Sequence, residues 1–163
     1  VRTVYGGRLT YAANWYDGYD RVPFWDALDY VGVQAYFPIS DAEAPSLDAL
    51  KAGWAAHRTA LRRVAADAGR PVLFTEIGYR SVAYAAAEPW RWPQRDEPGP
   101  PDLDLQARLY RAFFEAGMPE PWFAGAILWK WHPRAEGDRP LGFTPQGKPA
   151  EAVVRRGFSS LPR

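Results

Sequence analysis

Two hydrophobic patterns alternate along this chain. Four short runs are apolar at both even and odd positions: "GRLTYAANW", with its strand near Leu9 to Ala13; "LDYVGVQAYFPI", near Tyr30 to Tyr36; "PVLFTEIG", which starts at Pro71; and "AGAILWKW", near Gly125 to Lys130. Short runs of this kind predict parallel strands covered on both faces. The stretches between the later runs repeat at helical spacing instead. "SLDALKAGWAAHRTALRRVAADAG" places Leu50, Trp54, Leu61 and Val64 on one stripe, with Ser46 as the N-cap, Asp48 in the first turn and Gly69 as the stop. "DLDLQARLYRAFFEAG" runs from a cap at Asp102 to a stop at Gly117, and "KPAEAVVRRGF" forms a last helix with Pro149 in its first turn. Between the first two strands only a short helix near Phe24 to Leu28 fits.

The order is therefore strand, short helix, strand, helix, strand, helix, strand, helix. This alternation predicts a parallel α/β fold in one domain spanning residues 1–163. Two architectures satisfy it: a doubly wound sheet, and a (β/α)8 barrel of which only four strands are present. A whole barrel takes about 250 residues. Long segments rich in Trp, Arg, Asp and Pro follow the third and fourth strands, at Gly78 to Pro101 and Trp131 to Thr144. Parallel α/β proteins build their sites on such carboxyl-end loops.

Composition narrows the chemistry. The 163 residues carry a net charge of +1, so nothing points to nucleic acid or an anionic membrane. No apolar run reaches the length of a membrane span. With no Cys and only two His, thiolate metal sites are excluded, and a His-based metal centre or triad is not expected. No Gly-rich phosphate loop follows a strand, so no nucleotide cofactor is expected. Aromatic residues, by contrast, reach 15% of the chain, many beside Gly, Pro, Asn and Asp. Rings in loops suit a ligand with flat apolar faces, as sugars have; they could equally cap the core.

Within "PVLFTEIGYRS", Glu76 stands near the end of an otherwise apolar strand. An unpaired carboxylate is costly to bury, so the position needs an explanation. If the last polar residue of each strand points inward, alternation puts Glu76 on the face of Phe74 and Val72. It likewise puts Tyr36 with Gln34 and Gly32, Asn14 with Ala12 and Thr10, and Trp129 with Ile127 and Gly125. A carboxylate, a phenol, an amide and an indole would then meet at the carboxyl ends. That set suits glycoside cleavage: the carboxylate attacks the anomeric carbon, the phenol holds the carboxylate, the amide binds a hydroxyl and the indole supports the ring. Simpler readings stand beside it. Glu76 could pair with Arg80, Tyr36 and Trp129 could be core residues, and Asn14 could be a turn residue. His57 falls mid-helix as a packed or solvated residue, and His132 follows the last strand.

Together "LTYAANW", "FWDALDYVGVQAYFPIS", "PVLFTEIGYRS", "PWFAGAILWKW" and "GFTPQGKPAEAVV" resemble the carboxyl-terminal half of glycoside hydrolase family 113, β-mannanase-like enzymes in the clan of retaining (β/α)8-barrel glycosidases. The resemblance covers nearly the whole chain, in order. It implies that the four strands are strands five to eight of a TIM barrel. It also implies that Glu76 is the nucleophile and Tyr36 its hydrogen-bonding tyrosine. Trp129 is then the tryptophan at the cleaved sugar's subsite. Asn14 and Trp15 belong to the run after strand five, and Trp131 joins the substrate-binding set. Gln34 stands where an acidic or amide residue is expected, and the resemblance assigns it no role.

The clan's acid/base Glu follows an Asn, and no such dipeptide occurs in this chain. Retaining hydrolysis needs two carboxyl groups about 5–5.5 Å apart. Asp17, Asp41 and Glu43 lie on neighbouring loops, but none matches the acid/base. The chain also opens on Val1 in mid-pattern. The expectation is a partial barrel whose partners are a β-linked poly- or oligosaccharide and an upstream half-barrel. Such a chain would be inactive alone and prone to aggregate through its open sheet edges. Two further readings are a non-catalytic carbohydrate-binding module, and two copies pairing into one barrel.

Overall fold

The computed structural model describes residues 1–92, 99–118, 120–133 and 140–160. Four parallel strands lie in chain order across one sheet: β1 (Ala12–Asn14), β2 (Val31–Gln34), β3 (Val72–Ile77) and β4 (Phe123–Leu128). Sequential order decides between the two expected architectures. A doubly wound sheet reverses its strand order at a switch point, whereas a barrel adds each strand beside the previous one. A short 3-10 helix at Trp25–Ala27 joins β1 to β2, where a short helix was expected.

The three long helices form a single layer in which α1 (Leu47–Ala68) packs on α2 (Leu103–Ala112), and α2 on α3 (Pro149–Ser159). Their ends follow the sequence signals. The Ser46 hydroxyl accepts from the Ala49 amide at 3.2 Å, and Gly69 closes α1 in the left-handed conformation (φ 60°) that glycine adopts without strain. The Asp102 carboxylate accepts from Leu105 at 2.8 Å, and α2 continues through a π turn at Phe113–Gly117. Pro149 occupies the first turn of α3.

Val31, Val33, Val72 and Phe74 turn one face of the sheet into the core and are fully buried. Trp54 from α1 meets them. It has no exposed surface, and its ring centre lies 5.9–6.2 Å from those of Phe37, Phe74 and Phe113. The other face carries Gly32, Leu73 and Thr75 and is less covered. Ile127 on β4 is 57% exposed. Among the described residues β1 and β4 are the two edges of the sheet.

Two expectations need correction. β1 begins at Ala12, not near Leu9, because Asp29 occupies Leu9: its carboxylate accepts from the Leu9 amide at 2.6 Å and its own amide donates to the Leu9 carbonyl at 2.9 Å. The larger correction concerns Glu76. Val33 pairs with Phe74, but the next residue, Gln34, pairs with Glu76, so β3 holds one extra residue at Thr75. This bulge breaks the alternation. Val72 and Phe74 face the helices, while Glu76 is carried round to the face of Gln34.

Candidate active site

Asn14, Gln34 and Glu76 are register partners across β1, β2 and β3, a polar row at the carboxyl end of the sheet. Each Glu76 carboxylate oxygen accepts one hydrogen bond. Gln34 Nε2 donates to Oε1 at 2.9 Å, and the Tyr36 hydroxyl donates to Oε2 at 2.8 Å. The carboxylate is partly buried and, among the described residues, in no ion pair. Arg80, the alternative partner, instead donates to the Leu141 carbonyl and the Tyr84 hydroxyl. Two neutral donors satisfy the charge of Glu76 without neutralising it, as a nucleophile requires.

Tyr36 is tuned as a permanent donor. Burial first, and then its bond to the Glu76 carboxylate, push its phenol far above the ordinary tyrosine range. The phenol is therefore protonated, and so a donor, at neutral pH. Its ring rests edge-on to Phe143, with centres 6.3 Å apart.

Among the other expected residues, only Asn14 shares the register row of Glu76; the rest have neighbours of their own. Asn14 is partly buried in the polar row, and its side chain forms no hydrogen bond within the described residues. Trp15 packs on Trp90 (4.9 Å between ring centres), Tyr16 and Phe37. Trp90 is the more exposed of the two at 44%. Trp129 follows β4, its amide donating to the Ile77 carbonyl at 2.8 Å, and its peptide bond to Lys130 is cis. Trp131 lines an open groove with Ile127, Leu128, Val154 and Phe158 at the β4 edge. His57 stacks on Phe37 and donates from Nε2 to the Pro38 carbonyl at 2.8 Å; burial holds its pKa below the usual histidine value despite that bond. His132 is tied to Gln146 through its backbone.

Gln34 is the site residue to which the sequence reading gave no task. The signal was available: it stands two residues before Tyr36, and period-two alternation puts both on one face. Phe143 and Trp90 carried no such signal.

The model of glycoside hydrolase family 113 matches residues 1–143. The chain belongs to this family. Among solved structures it is similar to a β-mannanase of the family from Alicyclobacillus acidocaldarius, in complex with ManMIm, at 37% identity and a TM-score of 0.78. That match covers 98% of this chain and 47% of the other. A β-1,4-mannanase of the family is 30% identical with a TM-score of 0.79, covering 98% of this chain and 48% of the other. A β-glucuronidase from Bifidobacterium dentium, 21% identical over 95% of this chain and 24% of its own with a TM-score of 0.54, shares the fold alone. None of the curated proteins compared matches. This family member therefore spans about half the length of the solved family enzymes it matches. Sequential parallel order, helices in one layer and these neighbours place it in a TIM-barrel family.

Proposed function

We propose that this chain is the carboxyl-terminal half of a retaining β-mannanase barrel, contributing strands five to eight and the nucleophile Glu76. The observation that carries the reading is the Glu76 carboxylate held between Gln34 and Tyr36 at the carboxyl ends of adjacent parallel strands. One carboxylate oxygen bonds to the anomeric carbon while the bond from that carbon to the leaving oxygen breaks. A carboxylic acid supplied by the upstream half protonates the leaving oxygen. The same group, now a base, takes a proton from water, which displaces Glu76 and restores its carboxylate. Tyr36 and Gln34 hold the carboxylate in line for both displacements. Asn14 bonds a sugar hydroxyl, and Trp129 supports the ring, with Trp15 and Trp131 in the wider substrate-binding set. The solved β-mannanases of the family support β-1,4-linked mannan or manno-oligosaccharides as substrates.

The test joins this chain to an upstream barrel half and follows manno-oligosaccharide cleavage by proton NMR. The expected result is β-configured product before mutarotation, and no turnover from the 163 residues alone. First-formed α product would contradict a double displacement. Saturable sugar binding by the 163 residues, with no cleavage by the joined chain, would favour a carbohydrate-binding module.

A further inference from the structure

The segment from Pro140 to Thr144 is anchored by side chains from the loop just beyond β3, from α2 and from the start of α3. Five successive backbone carbonyls each accept from a side chain. Ser81 Oγ donates to Pro140 at 2.8 Å, Arg80 Nε to Leu141 at 3.2 Å, and Lys148 Nζ to Gly142 at 3.0 Å. Gln106 Nε2 lies 3.2 Å from the Phe143 carbonyl and 3.4 Å from that of Thr144. It also donates to the Tyr79 carbonyl at 2.8 Å. Lys148 in turn donates to Ser81 Oγ at 2.9 Å. Gln106, Arg80 and Ser81 are almost fully buried. The segment is thus a strap, latched to residues 79–81 just beyond β3 and to α2 through one amide.

Phe143 connects this strap to the site. It is 3% exposed and meets Tyr36 edge-on at 71°. It also lies under Gly78, two residues beyond Glu76. A methyl group at Gly78 would come 3.3 Å from the Phe143 ring and 1.9 Å from the Trp129 carbonyl oxygen. The ring of Phe143 therefore meets the phenol of the Tyr36–Glu76 pair directly and lies beside the backbone two residues beyond the carboxylate.

Building on the reading of Glu76 as nucleophile, we infer that Phe143, fixed by Gln106 through the strap, is a positioning residue that sets the geometry of the Tyr36–Glu76 hydrogen bond. Such a bond weakens steeply as its angle and length drift, and small displacements of a reacting group are costly. The strap acts on the pair through the ring of Tyr36, which Phe143 meets directly, so its contribution should largely vanish where the phenol hydroxyl, and with it the hydrogen bond to Glu76, is already gone.

The test is a double-mutant cycle in the joined barrel, with mannopentaose as substrate. Phe143→Leu keeps apolar bulk but loses the ring edge, and Gln106→Met keeps length but loses the donors. Each should lower kcat by about ten-fold with KM within about two-fold, a pattern that marks an interaction made in the transition state. On a Tyr36→Phe background each should lower kcat by less than about two-fold. The same fold-loss in both backgrounds, or a change confined to KM, overturns the inference. Melting curves identify variants that fail to fold, and Phe143→Leu decides the matter if Gln106→Met is among them. Glu76→Gln distinguishes the two levels. If it is inactive while the cycle is additive, only the strap's role fails; if it is active, the nucleophile reading itself fails.

Discussion

Glu76→Gln in the joined barrel is expected to lose mannan hydrolysis by at least about a thousand-fold, a cost of roughly 4 kcal/mol in the transition state. The substitution changes one atom and keeps the shape. Its amide can still bond to Tyr36 and Gln34, so the fold should survive and the melting temperature should stay near that of the native protein. What disappears is the negative charge that, in the proposed mechanism, forms the bond to the anomeric carbon. No neighbour can replace it, because Tyr36 is held protonated by burial and by the carboxylate itself, and the neutral amide of Gln34 does not ionise. Steady-state rates on β-1,4-mannan, measured beside the melting curve, check this. Normal activity in a folded variant would place the nucleophile elsewhere.

The second large effect lies in the core. Trp54→Ala should destabilise the protein by about 3–5 kcal/mol, the usual cost of emptying a large aromatic site. Small domains have only about 5–15 kcal/mol of stability in all. Trp54 is fully buried and touches Phe37, Phe74 and Phe113, so it joins α1 to β3 and to the π turn after α2. Its indole N–H is buried with no partner among the described residues, and its removal offsets about 1 kcal/mol of the loss. Trp54→Phe, which removes that orphan donor and keeps a ring, should cost much less. Urea midpoints compare the three proteins. A native-like midpoint for Trp54→Ala would show that this cluster is not what holds helix to sheet.

The sequence disclosed the scaffold more fully than the site. All four strands and the three long helices were legible, because their apolar periods and caps at Ser46, Gly69 and Asp102 are local signals that the structure honours. The convergence of Tyr36 and Glu76 was also legible, although for a wrong reason. Strict alternation placed Glu76 with Phe74, and only the extra residue at Thr75 turns it to Gln34. A bulge of one residue leaves no mark in composition. Nor does the approach of Phe143 to Tyr36, which depends on how Gln106 and Ser81 fold a distant segment back. Gln34, by contrast, was within reach, because alternation alone puts it on the face of Tyr36.

The most direct measurement of the central claim is covalent trapping. In 2-deoxy-2-fluoro-β-mannosyl fluoride the leaving group departs without a proton donor, and the fluorine at C2 slows release of the glycosyl-enzyme. Incubated with the joined barrel and digested for mass spectrometry, the protein should carry a single fluoro-mannosyl group on the peptide containing Glu76, and none in Glu76→Gln. A label on a different carboxylate, with Glu76 unmodified, would contradict the account.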